Sequence, residues 1–219
     1  MTTEVSKPLS AEVVRRALKE FGVEVDDSQV QLIQQYTSIL LHWNDKLNLT
    51  AIRSPLEILH RHFGESMFAA AAVPLHKCRL ADIGTGAGFP GIALKILRPE
   101  IDLFLVESNI KKGTFLAEVV RDLGLKDARV LISRYEELGE ELAPLDFVCS
   151  RALGEFNTFL TWARTREVSA DEAILWIGGR DLEEVKRTGG WEWREPIAVP
   201  NSLQRYLLVG RKVAEMSAV

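Results

Sequence analysis

Cysteines and long apolar runs are both scarce in this chain. Only Cys78 and Cys149 occur among its 219 residues, which is too few for a disulfide framework. No apolar run approaches the roughly 18 residues that a membrane-spanning helix needs. Residues 1–8 contain no apolar core of the signal-peptide kind. These absences predict a cytoplasmic protein that has no association with a membrane.

An excess of positive charge is also lacking. The chain has 27 Lys and Arg against 31 Asp and Glu, a formal net charge of −4. This balance argues against a general nucleic-acid binder, because affinity for the phosphate backbone comes from clustered Lys and Arg side chains. A local basic face is still open, since the basic residues are spread along the chain and only folding decides whether they converge.

Two kinds of pattern divide the chain near residue 75. Residues 1–75 have helical periodicity, with helix-start signals at Ser10, at Asp26 or Asp27, and at Ser54. The rest alternates short apolar runs with amphipathic segments, which is typical of a parallel sheet covered by helices on both faces. We therefore predict a helical N-terminal extension over 1–75 and an α/β domain over 76–219.

The segment 80–91 is the most informative stretch of the sequence. An apolar run ends in a carboxylate, a glycine-rich turn comes next, and a helix begins close to Pro90. Glycines let a backbone approach a ligand closely, and a helix N-terminus offers unpaired N–H groups. Residues 86–91 fit the G-x-G-x-x-G of dinucleotide-binding folds. The acidic-G-x-G-x-G pattern of S-adenosylmethionine (SAM) methyltransferases is fitted equally well, by Asp82, Gly84, Gly86 and Gly88.

Two carboxylates bear on the choice between these cofactors. Glu107 ends the next apolar run, where a strand-end acid binds ribose hydroxyls in both folds. Asp82 discriminates, because a carboxylate would repel a pyrophosphate but attract the ammonium and sulfonium of SAM. The pattern favours SAM, with a dinucleotide or a purely structural glycine turn as alternatives. For Asp82 alone, helix capping is the alternative role.

The alternating region predicts five parallel strands, at 79–83, 102–107, 128–132, 145–150 and 172–177. Helices are predicted between and after them, at 90–97, 111–123, 155–167 and 181–187. A turn at Pro200-Asn201 joins a last antiparallel pair, 191–199 and 202–210. The predicted fold class is α/β: a seven-stranded, Rossmann-like sheet of the SAM-methyltransferase type, with helices on both faces and the helical extension before it.

Motifs outside the glycine turn resemble one family. Residues 43–50 are similar to W-N-x-x-x-N-L-T, residues 61–66 to R-H-x-x-D-S, and two further blocks match at 133–137 and 150–152. In this combination the chain resembles the small-subunit rRNA (guanine-N7) methyltransferases, also called glucose-inhibited division protein B. The resemblance runs from about residue 30 to 155. It departs from the family at Glu65 and Glu107, where Asp is usual, and at Ile177 and Tyr206, where Lys and His are usual.

The resemblance implies a SAM-dependent enzyme that acts on 16S rRNA or the small ribosomal subunit, as a monomer and without a metal. It implies backbone contact with SAM at Gly84, Gly86 and Gly88, with Phe89 in the same turn. It further implies roles for Asp82 at the methionine end, Glu107 at the ribose, and Tyr135 and Glu136 at the adenine. Arg151 is the predicted catalytic residue, beside the acceptor base or the SAM carboxylate, with a surface ion pair as the alternative.

The predicted chemistry agrees with what the sequence lacks. Adenine amino methylation typically uses an Asn/Asp-Pro-Pro-aromatic motif, which is missing, and Cys149 lacks the Pro-Cys context of pyrimidine C5 methylation. Guanine N7 has an available lone pair, so direct in-line transfer needs no general base. His60 and His62 stand two apart and make a poor metal pair. Other acceptors, an NAD-dependent oxidoreductase and a SAM-binding module without turnover stay as alternatives.

Overall fold

The protein is described from a computed structural model, which covers residues 9–151 and 153–213. Three parts of the predicted organisation lie outside the described residues. They are residues 1–8 of the helical extension, Ala152 in the family block at 150–152, and residues 214–219 at the end of the α/β domain. Among these residues the helices are α1 (Ala11–Lys19), α2 (Asp27–Leu47), α3 (Pro55–Ile58), α4 (Glu65–Met67), α5 (Ala69–Ala72), α6 (Gly91–Leu97), α7 (Ile110–Asp122), α8 (Phe156–Ala163) and α9 (Leu182–Lys186). The strands are β1 (Arg79–Ile83), β2 (Asp102–Val106), β3 (Ala128–Leu131), β4 (Leu145–Ser150), β5 (Ala170–Gly178), β6 (Trp191–Trp193), β7 (Ile197–Ala198) and β8 (Arg205–Lys212).

The N-terminal helices begin at the residues that the sequence indicates. Ser10 accepts a hydrogen bond from the backbone N–H of Val13 at 3.3 Å, and Asp26 forms a capping box with Gln29. The third predicted helix is broken, because a π-helical turn, Leu59–Gly64, separates α3 from α4. A π-helical turn holds an extra residue and so rotates the next helical turn about the axis. As a result residues 62–67 are all buried.

The α/β prediction is confirmed, and the strand count differs from it. Among the described residues the sheet has eight strands, in the order β3-β2-β1-β4-β5-β8-β6, with β7 also paired to β8. Strands β1 to β5 run parallel, whereas β8 is antiparallel to its neighbours. The single strand predicted over 191–199 is split into β6 and β7. Pro196 stands between them and has no N–H to donate to β8.

Side chains alternate between the two faces of this sheet. Leu80 belongs to an apolar cluster that α1, α2, α6 and α7 share, whereas Ala81 belongs to a second cluster beneath α8 and α9. The helical segment and the sheet therefore have one continuous core on the first face. The division of the chain at residue 75 stays a prediction. No helix in the described ranges is long and apolar enough to cross a membrane.

The strand order reverses between β1 and β4. After β1 the chain builds β2 and β3 to one side, then returns to β4 on the other side of β1. In open parallel sheets ligands bind at such a switch point, outside the carboxyl ends of the strands. The glycine turn comes directly after β1 and Arg151 directly after β4, so both lie at this edge.

Candidate active site

The glycine turn after β1 has a backbone that other residues would adopt only with strain. The φ angles of Gly84, Gly86 and Gly88 are +66°, +59° and +89°. A Cβ on Gly88 would collide with the Tyr36 hydroxyl and with Ile92, so packing alone accounts for that glycine. A Cβ on Gly86 would meet only a backbone oxygen at 3.9 Å. Of the three glycines, Gly86 therefore has the most open space where a Cβ would stand, whereas Gly84 is the one that is exposed.

Asp82 fastens this turn from beneath. It is fully buried, and its Oδ2 accepts hydrogen bonds from the Thr85 hydroxyl at 2.6 Å and the Gly91 N–H at 2.7 Å. Burial raises the pKa of Asp82 to about 6, against the opposing effect of these hydrogen bonds and of Arg151. The carboxylate thus joins the turn to the start of α6, which is the capping role. Its contact with the methionine end of a cofactor stays a prediction.

Glu107 holds the turn from the end of β2. Its Oε2 accepts from the Gly86 N–H at 3.0 Å and its Oε1 from the Asn109 N–H at 2.8 Å. The two strand-end carboxylates that the sequence singles out therefore support the same turn from adjacent strands. Each Glu107 oxygen keeps a second lone pair for a further donor.

A narrow cleft of about 190 Å³ lies beside the turn. Its lining residues are Gly84, Val106, Ser108, Ser133, Arg134, Tyr135, Glu136 and Leu153. Three of the residues predicted for cofactor binding come together in this narrow cleft: Gly84, Tyr135 and Glu136. The Tyr135 ring is fixed by an edge contact with Trp162, whose centroid is 5.0 Å away.

A larger cleft of about 420 Å³ lies on the side of Arg151. We call it the basic cleft, and its lining residues are Ile52, Arg61, His62, Glu65, Arg151, Trp176, Ile177, Gly178, Gln204 and Arg205. Glu65, almost fully buried, accepts from Arg205 Nη1 at 2.6 Å and lies 3.1 Å from Arg61 Nε. The cleft thus gathers three arginines and one carboxylate, and two of the arginines, Arg61 and Arg205, contact that carboxylate. Ile177, one of the positions at which the sequence departs from the family that it resembles, is part of its wall.

Arg151 is held at the boundary between the turn and the basic cleft. Its guanidinium carbon lies 5.7 Å from the Phe89 ring centroid, in cation–π geometry. Its Nη1 donates to the Arg61 carbonyl and its Nη2 to His62 Nδ1, both at 2.8 Å. These contacts exclude the surface ion pair that the sequence left as an alternative for Arg151.

The Arg151 contact fixes the protonation of His62. Arginine can only donate, so His62 Nδ1 is the acceptor and the neutral ring carries its proton on Nε2. That N–H donates to the Thr50 hydroxyl oxygen, 2.8 Å away. Burial, together with Arg151 and Arg61, lowers the pKa of His62 to about 3, so the ring is neutral at physiological pH.

Aromatic rings from the N-terminal helices clamp the turn. The Phe89 ring stacks with His62, 4.8 Å away and tilted by 19°, and with Tyr36, 5.1 Å away and tilted by 15°. The Tyr36 hydroxyl also donates to the carbonyl oxygen of Ala87. Sequence reasoning gave neither Tyr36 nor His62 a role. The motif at residues 61–66 was the available signal for His62, whereas Tyr36 has the spacing of an ordinary core residue.

The other residues considered as a nucleophile or as metal ligands are not placed to act in those roles. Cys149 is fully buried, and burial beside Asp82 raises the pKa of its thiol well above its usual range. A thiolate nucleophile is therefore disfavoured there. His60 faces Glu20 at 3.6 Å, outside the basic cleft that His62 lines. Within the described ranges, no group of three or more His, Cys, Asp or Glu side chains is arranged to hold a metal ion.

Comparison with known proteins identifies the family. The family description "rRNA small subunit methyltransferase G" matches residues 29–190. The chain belongs to this family. A ribosomal RNA small subunit methyltransferase G of Pelotomaculum thermopropionicum is 38% identical over 197 residues, covering 80% of this chain and 82% of that protein. One of the same name from Roseiflexus castenholzii is 34% identical, covering 93% and 92%.

Solved structures support the fold assignment. A SAM-dependent methyltransferase of Aquifex aeolicus is similar with a TM-score of 0.59 and 15% sequence identity, covering 76% of this chain and 97% of that one. At this identity the likeness concerns the fold alone. The predicted methyltransferase-type sheet is thereby confirmed.

Proposed function

We propose that this chain transfers the methyl group of SAM to N7 of a guanine in bacterial 16S rRNA, in the cytoplasm. Family membership and the names of its curated relatives support an rRNA methyltransferase. The observation that carries the proposal is the position of the glycine turn between two clefts. The narrow cleft suits the cofactor and the basic cleft suits a segment of RNA.

The residues of the narrow cleft, together with those of the glycine turn beside it, fit SAM. Glu107 has lone pairs for ribose hydroxyls, Gly86 leaves the turn open to close approach, and Tyr135 and Glu136 supply a ring and a polar edge for the adenine. Asp82 acts through the turn that it fastens. When bound, SAM supplies an electrophilic methyl group on its sulfonium.

The basic cleft supplies what an acidic chain needs to bind RNA. Arg61, Arg151 and Arg205 line it, so positive charge is concentrated locally although the chain as a whole has a net charge of −4. Local concentration of this kind suits a shaped RNA site, whereas bulk attraction would need a basic chain. The methyl acceptor would enter from this side of the turn.

Guanine N7 is the acceptor that matches the groups present. Its lone pair attacks directly, so the residues have to align the reactants and exclude water, with no proton to remove beforehand. His62 Nδ1 is already occupied by Arg151 and is therefore a poor general base. Arg151 is the proposed catalytic residue, either donating to the acceptor base or holding the SAM carboxylate. The same proposal has the chain acting as a monomer without a metal, with the helical extension ending near residue 75.

The test is transfer of labelled methyl from SAM to small-subunit RNA that lacks the modification, both free and in ribosomal particles, with subsequent digestion to nucleosides. Label in 7-methylguanosine is the expected result. Label in another nucleoside would keep the cofactor and overturn the acceptor. Absence of label together with binding of NADH, and no binding of S-adenosylhomocysteine, would overturn the cofactor as well.

A further inference from the structure

A chain of hydrogen bonds runs from α2 to Arg151. The Asn44 side chain is fully buried, donates to the Thr50 carbonyl at 2.9 Å and accepts from the Thr50 N–H at 2.8 Å. The Thr50 hydroxyl oxygen in turn accepts from the Ile52 N–H at 3.1 Å and from His62 Nε2–H at 2.8 Å. His62 then accepts from Arg151. Each link fixes the next side chain toward the basic cleft.

We propose that His62 is a positioning residue for methyl transfer: Thr50 holds its ring as the Nε2–H tautomer, so that Nδ1 fixes the Arg151 guanidinium over Phe89. This inference rests on the proposed function in so far as Arg151 acts on the cofactor or the acceptor. The inference gives the loop between α2 and α3, which contains Thr50, a role in positioning Arg151, although this loop is distant in sequence from the glycine turn.

The reason for a histidine at this position is its pair of opposed ring nitrogens. An acceptor must face Arg151 and a donor must face Thr50, and a neutral imidazole supplies both from one rigid ring. The other tautomer would point an N–H at a guanidinium N–H. The stack on Phe89 prevents the ring from turning out of this alignment.

Positioning matters because a free arginine side chain has many rotamers. Holding it costs side-chain entropy, which the two hydrogen bonds and the Phe89 contact offset before substrate arrives. Small displacements of a group that aligns reactants lower the rate steeply. Without His62, the Arg61 carbonyl would still accept from Nη1 of Arg151, but Nη2 would have no hydrogen-bond partner among the described residues to fix its direction.

The experiment is a double-mutant cycle in full-length protein, with kcat and KM measured for transfer from SAM to unmodified small-subunit RNA. His62→Phe keeps a ring to stack on Phe89 but removes both nitrogens. It is expected to lower kcat by up to about 100-fold in the wild-type background. In the Arg151→Ala background it is expected to change kcat by no more than about twofold. Equal losses in both backgrounds would mean a merely structural role and would overturn the proposal.

Two substitutions of Thr50 test the same hydrogen bond, one that removes the hydroxyl and one that keeps it. Thr50→Val keeps the side-chain shape but removes the acceptor for His62, so kcat is expected to fall, whereas Thr50→Ser is expected to restore it. Equal kcat in the two variants would contradict the proposal. His60→Gln is the matched control, because it removes an imidazole from the same segment outside the cleft.

Nitrogen NMR of the His62 ring gives a readout that does not depend on turnover. The wild-type ring is expected to show a bare Nδ1 and a protonated Nε2, and a proton on Nδ1 would overturn the inference. If the ring has the expected tautomer but wild-type protein labels no 7-methylguanosine, the proposed function fails and the positioning role in it fails too. If the wild type is active and the cycle is additive, only the positioning role fails.

Discussion

The Tyr36 hydroxyl in α2 donates a hydrogen bond to the carbonyl oxygen of Ala87, 51 residues further along the chain. The same ring stacks on Phe89, and its hydroxyl occupies the space that a Cβ on Gly88 would need. The helices that precede the sheet therefore shape the glycine turn from above. Asp82 and Glu107 support it from the strand ends.

Tyr36→Phe is expected to destabilise the protein by about 1–3 kcal/mol, because the buried Ala87 carbonyl loses its donor. Affinity for S-adenosylhomocysteine is expected to fall as well, since the turn loses one of its supports. Denaturant unfolding and calorimetric titration measure the two effects. Unchanged stability would show that the hydroxyl contributes nothing to holding the turn.

Gly86→Ala is expected to weaken binding of S-adenosylhomocysteine far more than it lowers stability. The new Cβ meets only a backbone oxygen at 3.9 Å, so it extends into open space beside the turn, where the proposed function has the cofactor approach. Gly124→Ala is the matched control, because Gly124 has φ +60° against +59° for Gly86 and has no atom within 4 Å of a Cβ. Similar losses of affinity in both variants would attribute the effect to backbone strain, and not to the cleft.

Arg151→Ala is expected to lower methyl transfer by roughly 100-fold, since a preorganised donor beside the reacting groups is removed. Circular dichroism is expected to report an intact fold. Arg53→Ala is a suitable control, because Arg53 is an exposed arginine paired with Asp45 at 2.9 Å, and such pairs contribute little. Unchanged turnover in Arg151→Ala would remove Arg151 from the mechanism.

His62 is expected to give the protein acid sensitivity. The pKa of His62 in the folded protein is about 3, below the ordinary histidine value of 6.5. Between these two pH values the imidazole is protonated in the unfolded chain and neutral in the folded protein. This contribution to stability is complete above pH 6.5 and is lost as the pH falls toward 3. The stability advantage of wild type over His62→Asn is expected to shrink by about 1 kcal/mol between about pH 6.5 and 5.5. Denaturant unfolding at both pH values measures it.

A constant difference between the two proteins would contradict that assignment. Asp82 titrates in the same range with the opposite sign, because its pKa is raised to about 6 and its contribution to stability falls as the pH rises. It is present in both proteins, so its effect cancels in the difference. The comparison therefore isolates the imidazole.

Much of the candidate site could be predicted because its signals are local. Strand-end carboxylates and glycines with positive φ result from apolar runs and turn chemistry within a few residues, and Asp82, Gly86 and Glu107 were found in this way. The split of the last edge strand was missed although Pro196 was visible. The continuous edge strand that the sequence predicts and the two short strands that form differ by only a few hydrogen bonds to β8, so the pattern of residues does not distinguish them.

The sequence by itself determined the α/β order of elements, the glycine turn and the family. It did so because periodicity, capping and turn residues act over short distances along the chain. Only the tertiary structure decided that Tyr36 and His62 stack on Phe89, and that Arg61, Arg151 and Arg205 converge on one cleft. Those contacts join residues from separate elements, and burial and hydrogen-bond direction select them once the chain has folded.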